Sequence, residues 1–371
     1  MPREIKPIEG ESLLLGKLPK GCRLCSKGAK VVLFITGLCD SSCYYCPLSA
    51  EKTGQDKMFA DEMPVHEPED ILEETESIRG EGAGISGGDP LCALDRTTDS
   101  IRLLKSRFGP DFHIHLYTSK TDVETDTLRA LQESGLDEIR FHPQGSDWSG
   151  IKRALSLGLT VGIEVPAIPG GTESLKEVAA RAEDIGVSFL NINELEASET
   201  NFEQLTTMGM RLKDMESSSI EGSEETAREV LEWAASNLSN LTLHFCSARY
   251  KDSIQLRRRL ERRLEETIRE FEERDESDPL VVLGVIRGKT GSPLTTHHLE
   301  HLFTLLRHQL GVPADLINKD ENHARIEMAP WILEDIHETV RDLVEFDDAL
   351  DIGIAYEYPT FDRLQTLFEP L

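Results

Sequence analysis

A chain of 371 residues is long enough for one large domain and one small one, and its 39% hydrophobic content is adequate for their cores. A formal charge of −28, from 68 acidic and 40 basic residues, makes the average surface repel nucleic acid and anionic membranes, so either partner would need a local basic patch. No apolar run approaches the roughly 20 residues that cross a bilayer, and no apolar signal segment follows Met1-Pro2-Arg3-Glu4-Ile5-Lys6, so a cytoplasmic location without a membrane partner is expected. Acidity of this size suits a salt-rich, halophilic cytoplasm, where the Debye length falls to about 3 Å at 1 M salt, or an ordinary acidic cytosolic protein.

Seven cysteines, several at metal-type spacings, fit a reducing compartment better than a disulfide framework. Residues 1–30 are expected as an N-terminal extension. They carry Cys22-Arg23-Leu24-Cys25, a C-x2-C half-site for zinc or a cluster. A strand at 31–36 follows, and then Cys39-Asp40-Ser41-Ser42-Cys43-Tyr44-Tyr45-Cys46. This C-x3-C-x2-C run brings three thiolates onto one small metal group. Thiolates are soft ligands that favour iron–sulfur clusters, zinc or Cu(I). Three sulfurs satisfy three irons of a [4Fe–4S] cube and leave the fourth open for a ligand. After a long loop at 47–66 and a helix at 70–79 comes a strand at 82–86, which runs into Gly87-Gly88-Asp89-Pro90. Two glycines let a backbone approach a small polar ligand without interference from Cβ.

Between residue 31 and about 246, short β-branched and aromatic runs alternate with charged helical stretches. Strands are expected at 112–118, 138–142, 160–165, 188–193 and 241–246, with helices at 99–108, 121–134, 150–157 and 174–185. Repeated β–α units imply a parallel sheet covered by helices. Alternation within the strands is informative. Phe112, Ile114 and Leu116 share one face, and His113, His115 and Tyr117 the other. Arg140 and His142 oppose Ile139 and Phe141, Glu164 opposes Ile163 and Val165, Asn191 and Asn193 oppose Leu190 and Ile192, and His244 and Cys246 oppose Leu243 and Phe245. Ordinary parallel strands are apolar on both faces. Five strands with one polar face each therefore imply a wet or ligand-filled lumen.

A helix is expected at 254–275 within a charged linker at 251–278. It carries Leu256, Leu260, Leu264, Ile268 and Phe271 on one stripe, and Arg257, Arg258, Arg259, Arg262 and Arg263 as the densest basic patch. That patch is either a nucleic-acid or anion contact or a solvated face paired with Glu261, Glu265 and Glu266. Residues 279–371 read as strand, helix, two strands, helix and strand, a ferredoxin-like βαββαβ domain. His297 and His301 lie one helical turn apart there, with no third ligand evident.

The cysteine run and glycine turn together resemble the radical SAM superfamily, whose signature is C-x3-C-x2-C with an aromatic residue, here Tyr45, before the last cysteine. The general look is of archaeal proteins related to glycyl-radical, or pyruvate formate-lyase, activating enzymes. The resemblance covers roughly 31–200 and implies a partial (βα)6-type, TIM-like barrel at 31–250 with 241–246 as an extra strand. It further implies that Cys39, Cys43 and Cys46 bind a [4Fe–4S] cluster whose open iron is chelated by S-adenosylmethionine. Gly87, Gly88, Asp89 and Pro90 would hold the methionine amino group, with Asp89 standing where the family usually has Glu. Arg140, Glu164 and Asn193 are the candidate contacts to the cofactor's carboxylate or ribose.

One electron passed to the sulfonium would break the S–C5′ bond, giving methionine and a 5′-deoxyadenosyl radical that abstracts a hydrogen atom. An electron donor of the ferredoxin or flavodoxin type is implied. The substrate class expected first is a small molecule, lipid or cofactor precursor. RNA or a protein comes second, and a non-catalytic iron- or zinc-binding module third. Cys22, Cys25, Cys246 and Cys92 are candidates for a second metal site, an auxiliary cluster or zinc. Against it, the strand 31–36 spans about 20 Å, which separates Cys25 from the barrel end that carries Cys46.

Overall fold

The computed structural model describes residues 2–371 apart from Glu216 and Glu345. Its contacts divide the chain into two compact units, Met1–Arg259 and Leu260–Leu371.

The first unit holds strands β1 (Ile5–Pro7), β2 (Leu13–Leu15), β3 (Lys30–Phe34), β4 (Phe59–Ala60), β5 (Met63–Pro64), β6 (Gly82–Ser86), β7 (His113–Thr118), β8 (Glu138–Phe141), β9 (Thr160–Ala167), β10 (Phe189–Glu194) and β11 (Thr242–Cys246). They form one sheet in the order β1-β2-β11-β10-β9-β8-β7-β6-β3-β4-β5. Neighbours from β3 through β6 to β11 run parallel, each return being made by a helix on the outer face. This is the expected open, partial-barrel sheet, with β11 as the added strand.

Alternation fixes which side faces out. Ile114, Leu116, Ile139, Phe141, Ile163, Leu190, Ile192, Leu243 and Phe245 join one buried cluster with Ile101, Leu104, Leu128, Leu131 and Leu231 of the covering helices. Truncating one of the large members, such as Phe245→Ala, removes about 3–5 kcal/mol.

Residues 1–30 are not an extension ahead of the barrel. Leu13–Leu15 pairs antiparallel with β11, and all three leucines are buried. The unbroken apolar triplet was the available signal, too short to separate from a loop by periodicity. At the other edge, β4 and β5 close the loop at 47–66 as a small antiparallel pair against β3.

Helix Lys20–Ser26 packs into the lumen from below. A Cβ on Gly21 would lie 2.6 Å from Arg140 Nη2 and 2.7 Å from His115 Nδ1, and one on Gly82 would lie 2.7 Å from Leu24. Gly28, with φ +66°, then turns the chain into β3. A Cβ there would sit 2.3 Å from the backbone nitrogen of Arg259, so only glycine allows this approach.

The helix expected at 254–275 is shorter. A wide turn at Lys251–Leu256 leads into Arg257–Thr267, and Glu273–Arg274 is already strand β12. It stops because Glu272 is drawn inward and accepts from the backbone N–H of Arg269 at 2.8 Å.

The second unit continues with β13 (Val281–Gly288), β14 (Ile317–Asp320), β15 (Arg325–Met328), β16 (Leu350–Glu357) and β17 (Gln365–Pro370). The order is β14-β15-β13-β16-β17, with β12 also on β13, and each pairing is antiparallel. Helices Thr296–Thr304 and Pro330–Leu343 bury Leu299, Leu302, Ile332, Leu333 and Val340 against Val285, Ile286, Ile326 and Ile352. Edge strands β12 and β17 lie outside the six elements expected. No described helix is long and apolar enough to cross a membrane.

Candidate functional site

The chain leaves β3 through Gly37 and enters the cysteine loop, and the glycine turn leaves β6 directly beside it. Gly88 N–H donates to Thr36 O at 2.7 Å, and Asp89 N–H to Leu38 O at 2.8 Å. A Cβ on Gly87, whose φ is +155°, would lie 2.5 Å from Thr36 O, and one on Gly88 2.4 Å from Leu38 O. Both glycines thus let the turn lie flat against the root of the cysteine loop.

Cys39, Cys43 and Cys46 are free thiols that line a cavity of about 430 Å³ together with Gly87, Gly88, Tyr117 and His142. Two sulfurs already accept hydrogen bonds, Cys43 from Gln144 Nε2 at 2.9 Å and Cys39 from Ser41 N–H at 3.4 Å. Hydrogen bonds to ligand sulfurs are one way a protein sets a cluster's potential. The donor set therefore fits a [4Fe–4S] cluster with one iron left for a further ligand.

Asp89 does not face that cavity with its carboxylate. The side chain is fully buried and accepts from Thr118 Oγ1 at 2.9 Å, Ser119 N–H at 2.9 Å, Ser119 Oγ at 2.8 Å and Leu91 N–H at 3.0 Å. It fastens the glycine turn to the end of β7.

Tyr45 turns inward. Its hydroxyl meets His142 Nε2 at 2.8 Å and accepts from Gln144 Nε2 at 3.2 Å. Burial, with Cys43 beside it, pushes the phenol up to about 12. The other ring nitrogen of His142 lies 2.8 Å from Glu164 O, and burial holds this imidazole below its ordinary pKa.

A second cavity, about 450 Å³, adjoins the first through Cys46, Ser86, Gly87, Tyr117 and His142. Arg140, Glu164 and Asn193 meet in it. Arg140 Nη1 donates to Glu164 Oε2 at 2.9 Å, Asn193 Nδ2 to Glu164 Oε1 at 3.0 Å, and Arg140 Nε to Glu138 Oε1 at 2.6 Å. Burial opposes the charge on Glu164, but Arg140, Asn193 and Asn191 outweigh it and lower its pKa.

Sequence reasoning missed Lys30, Lys251, Glu194 and Glu196 in the same cavity. Burial works against the charge of Lys251, yet Glu196 at 2.6 Å and Cys246 hold its pKa above the ordinary lysine value. Lys30 was within reach by extending the β3 alternation back one residue. Lys251 gave no periodic signal. A depression of about 1110 Å³ between Phe59 and Leu103 has no cysteine in its lining and lies away from this chemistry.

Of the remaining cysteines, Cys25 and Cys246 meet a common partner, Gln255, and Cys22 lies near enough to act on both electrostatically. Cys25 Sγ donates to Gln255 Oε1 at 2.7 Å, Gln255 Nε2 lies 3.7 Å from Cys246 Sγ, and Cys22 Sγ accepts from Asn191 Nδ2 at 3.3 Å. The distance argument against bringing Cys25 to Cys246 fails because helix Lys20–Ser26 rises inside the lumen and Gln255 bridges the two. Cys92 does not join them. It sits beside Lys120, Asp89 and Asp40 at the outer rim of the cysteine loop, and burial raises its pKa.

Three thiols and a glycine turn at the C-terminal mouth of an open parallel barrel define a radical SAM enzyme. A sequence profile of the radical SAM superfamily matches residues 33–156, and one for a domain of unknown function, DUF8061, matches 280–371. The chain is 36% identical over 367 residues to a protein of Methanocaldococcus jannaschii provisionally named as a glycyl-radical enzyme activating enzyme, covering 96% of this chain and 93% of that one. It belongs to the radical SAM superfamily, whose members use a [4Fe–4S] cluster and S-adenosylmethionine.

Among solved structures it is similar to Streptococcus suis SuiB bound to S-adenosylmethionine, at 11% identity and TM-score 0.42 over 61% of this chain and 53% of that one. It is also similar to Escherichia coli coproporphyrinogen III oxidase, at 12% identity and TM-score 0.38 over 89% and 84%. Neither likeness is close enough to bear on function.

Proposed function

We propose that the chain is an activating enzyme that takes a hydrogen atom from a backbone glycine of a partner protein. The observation that carries this reading is the full-length relationship to the Methanocaldococcus protein, which extends through the second unit as well as the barrel. The cluster held by Cys39, Cys43 and Cys46, with S-adenosylmethionine on its open iron, would supply a 5′-deoxyadenosyl radical from one electron of a ferredoxin- or flavodoxin-type donor. The residues of this chain bind and orient. The backbone of Gly87 and Gly88, unobstructed by side chains, is the surface offered to the methionine amino group. Asp89 and Pro90 fix that surface in place, Asp89 as a positioning residue. Arg140, Glu164 and Asn193 present a cation, a carboxylate and an amide to carboxylate and ribose groups, while Tyr45 and His142 close the wall between the two cavities and keep water out.

A second reading, radical chemistry on a small polar molecule, is favoured by Lys30, Arg140 and Lys251 facing Glu164, Glu194 and Glu196 in the inner cavity. The RNA reading has less support, because Arg258 pairs with Glu9 at 2.8 Å and Arg259 with Asp61 inside the first unit. We also read Cys22, Cys25 and Cys246 as a thiol site for an auxiliary cluster or zinc, without Cys92. We read the second unit as ferredoxin-like, a reading supported by the order β14-β15-β13-β16, with β17 added at one edge and β12 added on β13.

Anaerobic incubation with dithionite, S-adenosylmethionine and a glycyl-radical enzyme of the same organism tests the proposal. A glycyl radical signal in the partner, stoichiometric with 5′-deoxyadenosine, is expected. Formation of 5′-deoxyadenosine without a partner radical would favour the small-molecule reading instead.

A further inference from the structure

We infer that the lower end of the barrel lumen carries a divalent transition-metal site of the zinc class, built from His113, His115 and Glu138 and separate from every cysteine. His113 and His115 lie two residues apart on β7 and so share its lumenal face. Glu138 opens β8 and pairs in register with His115. One ligand atom from each lies within 4.8 Å of the others, and His113 Nε2 is 3.7 Å from Glu138 Oε2. Around a tetrahedral zinc with bonds of about 2.0–2.1 Å, neighbouring ligand atoms sit about 3.4 Å apart. Closing the triad therefore brings ligand atoms together by up to about 1.4 Å.

The three side chains are 5%, 0% and 2% exposed, and His113 Nε2 and His115 Nδ1 have no hydrogen-bond partner there. Buried ring nitrogens without a partner, in a cluster with a carboxylate, are a feature that a metal would resolve.

Two of the three groups are held from behind by hydrogen bonds that orient them, and the third has a carboxylate nearby. His115 Nε2 meets Tyr117 OH at 3.1 Å, Glu138 Oε1 takes Arg140 Nε at 2.6 Å, and His113 Nδ1 faces Asp137 Oδ2 at 3.9 Å. A cavity of about 470 Å³ lined by Lys17, Lys20, His113, Asp137 and Glu138 gives entry from the surface and room for a water as fourth ligand. Of the nearby cations, Lys105 is held by Asp137 at 2.8 Å and Arg140 by Glu138 and Glu164, while Lys20, Lys30 and the unpartnered Nη2 of Arg140 also face the histidines and oppose a bound cation. Imidazole and carboxylate donors select zinc and its neighbours over the iron–sulfur chemistry of the thiols.

The test uses the full chain, reconstituted with iron and sulfide, exposed to Zn²⁺ and washed with a mild chelator. Zinc is counted by mass spectrometry and its neighbours are read by X-ray absorption. One zinc per chain with a nitrogen and oxygen shell at about 2.0–2.1 Å is expected. It should fall at least tenfold in His113→Gln and in His115→Gln while the iron content is unchanged, and survive in a Cys22/Cys25/Cys246→Ser variant. Should either histidine variant fail to fold, the absorption spectrum of the Cys22/Cys25/Cys246→Ser variant decides alone. Absence of zinc or a sulfur shell in that variant, or zinc retained when either folded histidine substitution is added to it, would overturn the inference.

Discussion

At Asp89, four donor groups from Leu91, Thr118 and Ser119 surround one buried carboxylate. The space is fitted to a side chain one methylene shorter than the glutamate usual in the family. Asp89→Glu should therefore destabilise by about 1–3 kcal/mol through overpacking, read as a lower urea midpoint. Arg140→Met should cost more, about 3–5 kcal/mol, because Glu138 and Glu164 would remain in the lumen without their partner. At this scale the sequence was informative where residue type limits chemistry, as with three thiols at C-x3-C-x2-C. It was silent where a contact joins distant segments. Nothing local indicates that Gln255 meets both Cys25 and Cys246, or that Lys251 enters the same cavity as Lys30.

Among the elements, five of the seven parallel strands were legible from period-two alternation, which separates Ile114 and Leu116 from His115 and Tyr117, and the strands at 31–36 and 82–86 from short runs between helical stretches. Strands of two or three residues, such as β1, β4 and β12, offer no period and owe their pairing to neighbours already in place. The second unit contains an equally unforeseeable element-level device. Arg325 of β15 donates to Glu327 at 2.7 Å and pairs with Glu357 of β16, Arg363 pairs with Glu357 and Glu272, and Arg269 reaches Glu327 at 2.6 Å. These carboxylates are buried. Burial opposes ionisation of Glu327, but Arg269 and Arg325 outweigh it, and its pKa lies below the ordinary 4.5. A depressed carboxylate stabilises the fold fully above its unfolded pKa, and that stabilisation is lost as pH falls through the lower folded value. Unfolding titrations should show the stability contributed by this network declining below about pH 4.5. Arg325→Met should cost about 3–5 kcal/mol near neutrality and give a shallower acid slope.

For the whole molecule, a charge of −28 sets the dominant long-range term. Raising potassium chloride from about 0.1 to 1 M shortens the Debye length from about 10 Å to about 3 Å, and the thermal midpoint should rise as self-repulsion is screened. A midpoint that falls across that range would show that attractive ion pairs outweigh net repulsion. Composition indicated this balance, and repeated βα units indicated the barrel. Composition and periodicity do not specify which hydrogen atom is taken, because that depends on a cavity assembled from six strands, the cysteine loop and the turn that carries Lys251.

If Cys39, Cys43 and Cys46 together with the glycine turn form a working radical SAM site, anaerobic reconstitution followed by dithionite and S-adenosylmethionine should yield 5′-deoxyadenosine. The wild type should form it, Cys43→Ala should not, and Cys22→Ala should still do so measurably. A wild type with an intact cluster and no 5′-deoxyadenosine, or product that persists in Cys43→Ala, would show that these residues do not form such a site.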